Sequence, residues 1–369
     1  MLENGRISIK QLASLVIFFT IGSSILVAPS GLAQAAEKDA WISSILGVLI
    51  GLLFVTLYNS LQKEFPDKTL VQCSEIILGK WLGKLVALSF LSYFFILASV
   101  LLREIGDFVT TQIMLDTPIE AILILFAVVV MIGVRLGLET YSRATEIFFP
   151  WVFILFTLLI TFSAPEIDIT KVQPLLGNGF KPVLQATFPF LGLPFLELVV
   201  FLMILPYVKN QNKAGKAFLI GTLIGGLTLI IITVACLLVL GPDLTARNNY
   251  PSYVLGKKMR ITEILERLEV IVAIIWFLTI FFKLVICFYA TTLGLAQMLR
   301  LKDYRSLVYP LGMILVILAI IISPNVTYFH YIMEKTWTPY SLTYGLFLPL
   351  LLLVVSRVRK STGSLNKRK

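Results

Sequence analysis

The sequence predicts an all-α integral membrane protein with about ten transmembrane helices, and three observations predict it. The 369 residues are 58% hydrophobic and 14% charged, with mean hydropathy +0.91, against roughly 25% charged residues in a soluble domain. Apolar runs long enough to cross a hydrocarbon core of about 30 Å recur from one end to the other. Two of these runs are interrupted by Gly, Ser and Pro, and they hold the same place in each half of the chain.

Ten apolar segments can be drawn, with charges gathered at their ends: 9–34, 41–61, 83–112, 117–135, 140–163, 183–207, 215–240, 262–297, 306–323 and 339–357. They read as one membrane domain over 1–369, with repeat one at about 9–163, repeat two at about 183–357 and a basic tail at 358–369. The first segment, with Arg6, Lys10 and the small-residue stretch Gly31-Leu-Ala-Gln-Ala-Ala36, has the outline of a signal peptide; it is expected to stay as the first span. The eighth would reach about 54 Å as one helix, so one end must project into water. Residues 261–269, with Glu263, Glu266, Arg267 and Glu269, are the natural projecting end.

Lys and Arg set the orientation. With the N-terminus inside, twenty lie on cytoplasmic connections or the tail and ten outside, with Lys283 left within a span. Both termini are therefore expected in the cytoplasm. The same placement accounts for the net charge of +10 and speaks against nucleic-acid binding. Cys73, Cys236 and Cys287 form no CxxC pair and His330 is the only histidine, so neither a zinc site nor a disulfide framework is indicated. Walker, HExxH, GxSxG and Gly-rich dinucleotide motifs are absent from the sequence, which argues against an ATP-driven pump or an intramembrane hydrolase. No catalytic set, cofactor or metal is expected. The connections 164–182 and 241–260 are unusually long and polar; they are functional loops or simple crossovers.

The two interruptions carry the functional reading. Segment one runs Phe18-Phe-Thr-Ile-Gly-Ser-Ser-Ile-Leu-Val-Ala-Pro29, and segment six runs Phe188-Pro-Phe-Leu-Gly-Leu-Pro-Phe-Leu-Glu197. Gly22, Ser23, Ser24 and Pro29, and likewise Pro189, Gly192 and Pro194, disfavour continuous helix. Unwound backbone survives at membrane depth only where protein or a watery cavity satisfies it. Matched breaks in two halves point to a transporter-type binding site at the repeat interface; the alternative is a pair of packing kinks. Half-helix N-termini at such a site would favour a carboxylate.

Charges within spans default to functional hypotheses. Lys283 lies about 21 Å from one polar end and 26 Å from the other, with Thr279 and Trp276 on its face. It presents a cation beside the first break, or it pairs with Glu197, Glu104 or Glu146 to hold the bundle. Glu197 is a direct ligand or proton group, or caps freed N–H groups. Arg103 and Asp107 form an i,i+4 pair, and Arg143 and Glu146 open the fifth span. Gly47/Gly51 and Gly221/Gly225 allow close helix approach, and Tyr93, Phe94 and Phe95 line a pocket or meet lipid and core.

The chain resembles the spore germination protein family, specifically the B subunit of GerA-type nutrient germinant receptors within the amino acid–polyamine–organocation transporter superfamily. The marks are Ile21-Gly-Ser-Ser-Ile-Leu-Val-Ala-Pro29, Phe65-Pro-Asp-Lys-Thr-Leu70, Leu78-Gly-Lys-Trp-Leu-Gly83, Leu193-Pro-Phe-Leu-Glu-Leu-Val-Val-Phe-Leu-Met-Ile-Leu-Pro-Tyr207, and Glu266-Arg-Leu-Glu269 followed by Trp276 and Phe281-Phe-Lys283. The resemblance implies a LeuT-type 5+5 inverted repeat with broken helices 1 and 6. It also implies residence in the spore inner membrane, work alongside A and C receptor subunits, and sensing of small nutrients, commonly amino acids. By position in that fold, the ligand would be lined by Gly22, Ser23, Ser24, Ile25, Tyr93, Leu97, Leu191, Gly192, Leu193, Phe195 and Thr279, with Glu197 and Lys283 as coupling or structural charges. The superfamily often has Gly-x-Gly at the first break, where this chain has Gly22-Ser-Ser24. A receptor subunit and a proton- or cation-coupled amino acid transporter would share this pocket; a structural scaffold would leave the paired breaks unexplained.

Overall fold

A computed structural model describes Glu3, residues 5–258 and residues 267–361. Among those residues the chain is helical, and one isolated backbone bridge joins Ile7 to Val208. Nine helical runs are long and apolar enough to cross a membrane. One of them, Ser24–Glu64, folds back at Glu37–Asp39 and so contains half of the first crossing and all of the second. The other half, Ile9–Ile21, has 13 residues and is about 20 Å long, too short to cross alone. The crossings among the described residues therefore number ten, and the protein is a multi-pass membrane protein.

The remaining crossings are Lys80–Gln112, Ile119–Leu136, Leu138–Ser163, Lys181–Gly192 continued by the 3-10 stretches Leu196–Met203 and Leu205–Tyr207, Gln211–Leu240, Glu269–Met298, Val308–Ile321, and the tenth from Val326 to Ser361. Short helices fill the connections: Leu70–Leu78 on the face that also holds Ile7 and the end of the tenth crossing, Pro242–Arg247 and Pro251–Lys258 on the far face. Serine and glycine set several boundaries. Ser8 and Gln11 form a capping box that starts the first helix. Gly79, Gly137 and Gly241 take φ near 90°, a conformation open to glycine, and each redirects the chain into its next helix.

Three expectations are corrected. Pro29 does not break the first span: it sits inside Ser24–Ala36. A proline there frees the carbonyl four residues back, and the buried Ser252 hydroxyl donates to that Ile25 carbonyl at 2.5 Å. The eighth helix begins at Glu269 and has 30 residues, not 36; Glu263, Glu266 and the rest of 259–266 lie outside the described residues, as does the basic tail beyond Ser361. The tenth span starts near 326, not 339, and contains two π turns, Met333–Trp337 and Thr343–Phe347. Polar Glu334, Lys335 and Thr336 hid its first half from a hydropathy reading, and wide π turns occur often at functional positions.

The broken spans sit at the centre. The apolar window of the sixth crossing is 83% buried, that of the fifth 22%. Spans four, five, nine and ten turn apolar side chains such as Leu125, Phe153, Ile317 and Val354 outward, where lipid replaces a packed neighbour. Irregular backbone is thus shielded by protein on all sides, as hydrocarbon demands. Glycines let the central helices approach. Gly47 meets the ring of Phe190 and Gly51 that of Phe195, seating the sixth span on the second; Gly221 and Gly225 meet Val16 and Thr20, seating the seventh on the first.

The face at Ile7 is closed by contacts with the sixth and eighth spans. Ile7 pairs with the backbone of Tyr207 and Lys209. Buried Glu3 accepts hydrogen bonds from the hydroxyls of Tyr289 and Tyr304, both at 3.2 Å. On the far face, Asp39 accepts from the Leu176 N–H at 3.0 Å and Lys171 donates to the Val239 carbonyl at 2.8 Å. These contacts tie the long 164–180 connection down.

Candidate functional site

Helix stops at Gly22 and Ser23, then resumes at Ser24. Gly22 has φ 21° and ψ −123°, and a Cβ there would lie 2.5 Å from Lys283 Cδ. Both the backbone shape and the passage of the lysine require glycine. The Thr279 hydroxyl, shared with its own helix, lies 3.4 Å from the Gly22 carbonyl. In the sixth span, helix stops at Gly192 and a 3-10 stretch starts at Leu196. Pro194 lacks a donor, and Gly192 lets Thr338 of the tenth span come close.

Lys283 joins the two breaks. Its side chain is fully buried, and its Nζ lies 2.7 Å from Glu197 Oε2, 3.1 Å from Ser23 Oγ and 3.2 Å from the Leu193 carbonyl. The Ser23 hydroxyl and the Leu193 carbonyl accept hydrogen bonds from the ammonium, and the Glu197 carboxylate pairs with its charge. The Phe19 ring centre is 5.1 Å away, within cation–π range. Ile9–Ile21 and Lys181–Gly192 both end here, and helix C-termini favour positive charge. Trp337 completes the set, its indole N–H donating to Glu197 Oε1 at 2.8 Å. Of the partners considered for Lys283, the fold selects Glu197. That carboxylate receives a lysine and a tryptophan, not freed backbone N–H groups.

A cavity opens above this cluster toward the far face. Ser23, Glu197 and Trp337 form its buried floor, and Gln34, Asn249 and Glu334 its exposed rim. Val27, Ala28, Leu97, Val100, Phe190 and Leu193 make apolar walls, with Glu104 set among them. About 100 Å³ is open to the centres of water molecules; one water needs roughly 10–15 Å³ on that measure, so there is room for several waters or one compact metabolite.

Of the residues expected at the site, Ser23, Leu97, Leu193 and Glu197 line this cavity. Gly22, Thr279 and Lys283 lie just behind its floor and shape it. Ser24 and Ile25 turn into the buried core, as does Phe195, against Gly51. Leu191 and Gly192 are buried in the sixth span. Tyr93 stacks on Tyr344 at 4.6 Å and on Trp337 at 6.1 Å, supporting the floor without touching the cavity. Arg103 pairs with Asp107 at 2.9 Å as expected, though both are buried, and Arg143 pairs with Glu139.

Trp337, Phe190, Asn249 and the place of Glu104 in the cavity wall were missed from sequence. Trp337 lay outside the assigned tenth span. Asn249 belongs to the long far-face connection, which reaches the cavity rim.

A family model described as "Spore germination protein" matches residues 6–327. Spore germination protein KB of Bacillus subtilis (strain 168) is 33% identical over 327 residues, which is 88% of this chain and 87% of that protein. Spore germination protein YndE of the same strain is 26% identical over 360 residues, 96% and 97% of the two chains. Among solved structures, MhsT in complex with L-phenylalanine has TM-score 0.68 at 13% identity, covering 94% of this chain and 97% of that one. Mhp1, a nucleobase-cation-symport-1 family transporter with bromovinylhydantoin bound, has TM-score 0.67 at 13% identity, covering 94% and 78%. At that identity the likeness shows the fold, the LeuT-type arrangement with its first and sixth helices broken.

Proposed function

Because the chain belongs to the spore germination protein family, we propose that it is the membrane subunit of a spore germinant receptor, binding a small nutrient, an amino acid in the first instance, between its interrupted helices and so triggering germination. The observation that carries this reading is the convergence of Ser23 and Leu193, one from each break, on a single buried ammonium beneath a cavity. A ligand pressing on that floor touches both broken helices at once. It can shift the bundle between two states to the extent that it binds one of them better.

The subunit is placed in the inner membrane of the spore, both termini in the cytoplasm and the cavity facing outward, with A and C receptor subunits as partners. The charge distribution along the sequence supports the orientation, and family membership supports the rest.

A proton- or cation-coupled amino acid transporter is the second reading, since the cavity would serve either. The Lys283 contacts speak against the cation-coupled form of that reading. A hydroxyl, a carbonyl and a carboxylate would suit a small exchangeable cation, and here a tethered ammonium fills them. Reconstitution in liposomes separates the two: a receptor subunit binds nutrient without accumulating it. Uptake against a gradient by the protein alone would establish the transporter instead.

A further inference from the structure

Among the described residues, the charged ones lining the cavity are Glu104, Glu197 and Glu334, and no lysine or arginine joins them. Glu197 is neutralised from below by Lys283, and Glu334 stands at the exposed rim. Glu104 is different. It is 5% exposed, and its Oε1 has no hydrogen-bond partner. No ion pair among the described residues reaches it. Arg103, its chain neighbour, turns away to Asp107 and to the Ile320 carbonyl, and Lys283 is engaged by Glu197, Ser23 and Leu193.

A buried carboxyl left without a partner costs about 1–3 kcal/mol, and more when charged. The cost is removed if a ligand brings the missing partner. We propose that Glu104 is the specificity-determining residue of the cavity and takes the protonated amine of the ligand, whose compact apolar body packs among Val27, Val100, Leu97 and Phe190. An anionic ligand finds no lysine or arginine among the described lining residues to pair with. Neutral polyols find apolar walls where their hydroxyls need partners. This rests on reading the cavity as the nutrient site, and it adds the chemical group that is recognised.

The test uses the full chain in lipid nanodiscs and measures thermal stabilisation by L-amino acids, alkylamines, α-hydroxy acids, hexoses and nucleosides. Each amino acid is compared with its hydroxy-acid counterpart, and each amine of the same carbon skeleton shows whether the carboxylate is also needed. The expected binders all carry a protonated amine. Glu104→Gln weakens them at least tenfold, about 1.4 kcal/mol, while its unliganded melting temperature equals or exceeds that of the native protein. Glu104→Asp keeps part of the affinity. If Glu104→Gln does not fold, the amine-against-hydroxyl comparison on the native chain decides. The inference falls if a hexose, nucleoside or hydroxy acid binds as tightly as the amines, or if Glu104→Gln binds them unchanged; nutrient binding itself would then still stand. A native protein that binds none of the compounds overturns the nutrient-site reading, and this inference with it.

Discussion

Lys283 and Glu197 meet at 2.7 Å where the eighth span crosses the break in the sixth, both fully out of solvent. Taking two charges out of water is costly, and their attraction offsets the cost only when the surrounding hydrogen bonds are also satisfied. Ser23 and Leu193 accept from the ammonium, and Trp337 donates to the carboxylate. The pair is therefore a joint among four spans, and its strength depends on every member.

Removing one partner strands the other charge. Lys283→Met is expected to lower stability by about 3–5 kcal/mol, with loss of the germination response. The double variant Lys283→Met with Glu197→Gln recovers much of that stability without recovering the response. Thermal denaturation of the three purified proteins checks the first part, and spore germination assays the second. Equal melting temperatures for the native protein and Lys283→Met would show that the pair holds nothing together.

Gly22→Ala places a methyl group against the lysine chain at a φ that disfavours side chains. The variant is expected to insert normally, to melt at a lower temperature and to lose its nutrient response. A response at native nutrient concentrations would remove the first break from the mechanism.

The Ser252 hydroxyl occupies the carbonyl that Pro29 leaves free. Ser252→Ala should cost about 1–3 kcal/mol for the buried acceptor left unsatisfied. Replacing Pro29 by Ala in the same chain restores a helical N–H to the Ile25 carbonyl and should recover most of the loss. A double-variant cycle on melting temperature reads the coupling; purely additive effects would contradict it.

The Cys73 thiol, on the short helix between spans two and three, is pushed up to about 12 by burial. Thiolate is the reactive form, so little is present until the pH approaches that value. The folded protein should resist maleimide at pH 7–8, when a cysteine placed at Gln34 on the cavity rim reacts readily. Prompt labelling of the native chain at pH 7 would show that this helix opens.

The breaks were legible because glycine and proline act locally. Gly, Ser and Pro clustered at Gly22–Ser24 and Gly192–Pro194 weaken helix through their own backbone, and no partner has to be known. Pro29 misled for the complementary reason: its cost was met by Ser252, more than two hundred residues away. The partner of Lys283 stayed open in the sequence because Glu104, Glu146 and Glu197 all lay at suitable depth, and depth says nothing of direction around a helix. Trp337 was lost in a polar stretch whose helicity is held by packing against the sixth span. Glu104 was visible as a charge, yet its loneliness became apparent only once Arg103 was seen to face elsewhere.

The half-helix Ser24–Ala36 is lashed to the far-face pair of short helices at three points: Ser252 on the Ile25 carbonyl, and Ser30 and Gln34 on that of Ala246. It cannot tilt without hauling 242–258 along. Any rocking started at Ser23 deep in the bilayer would therefore resurface as a reshaped outer rim, so that a neighbouring protein need not touch the nutrient to learn that it has arrived.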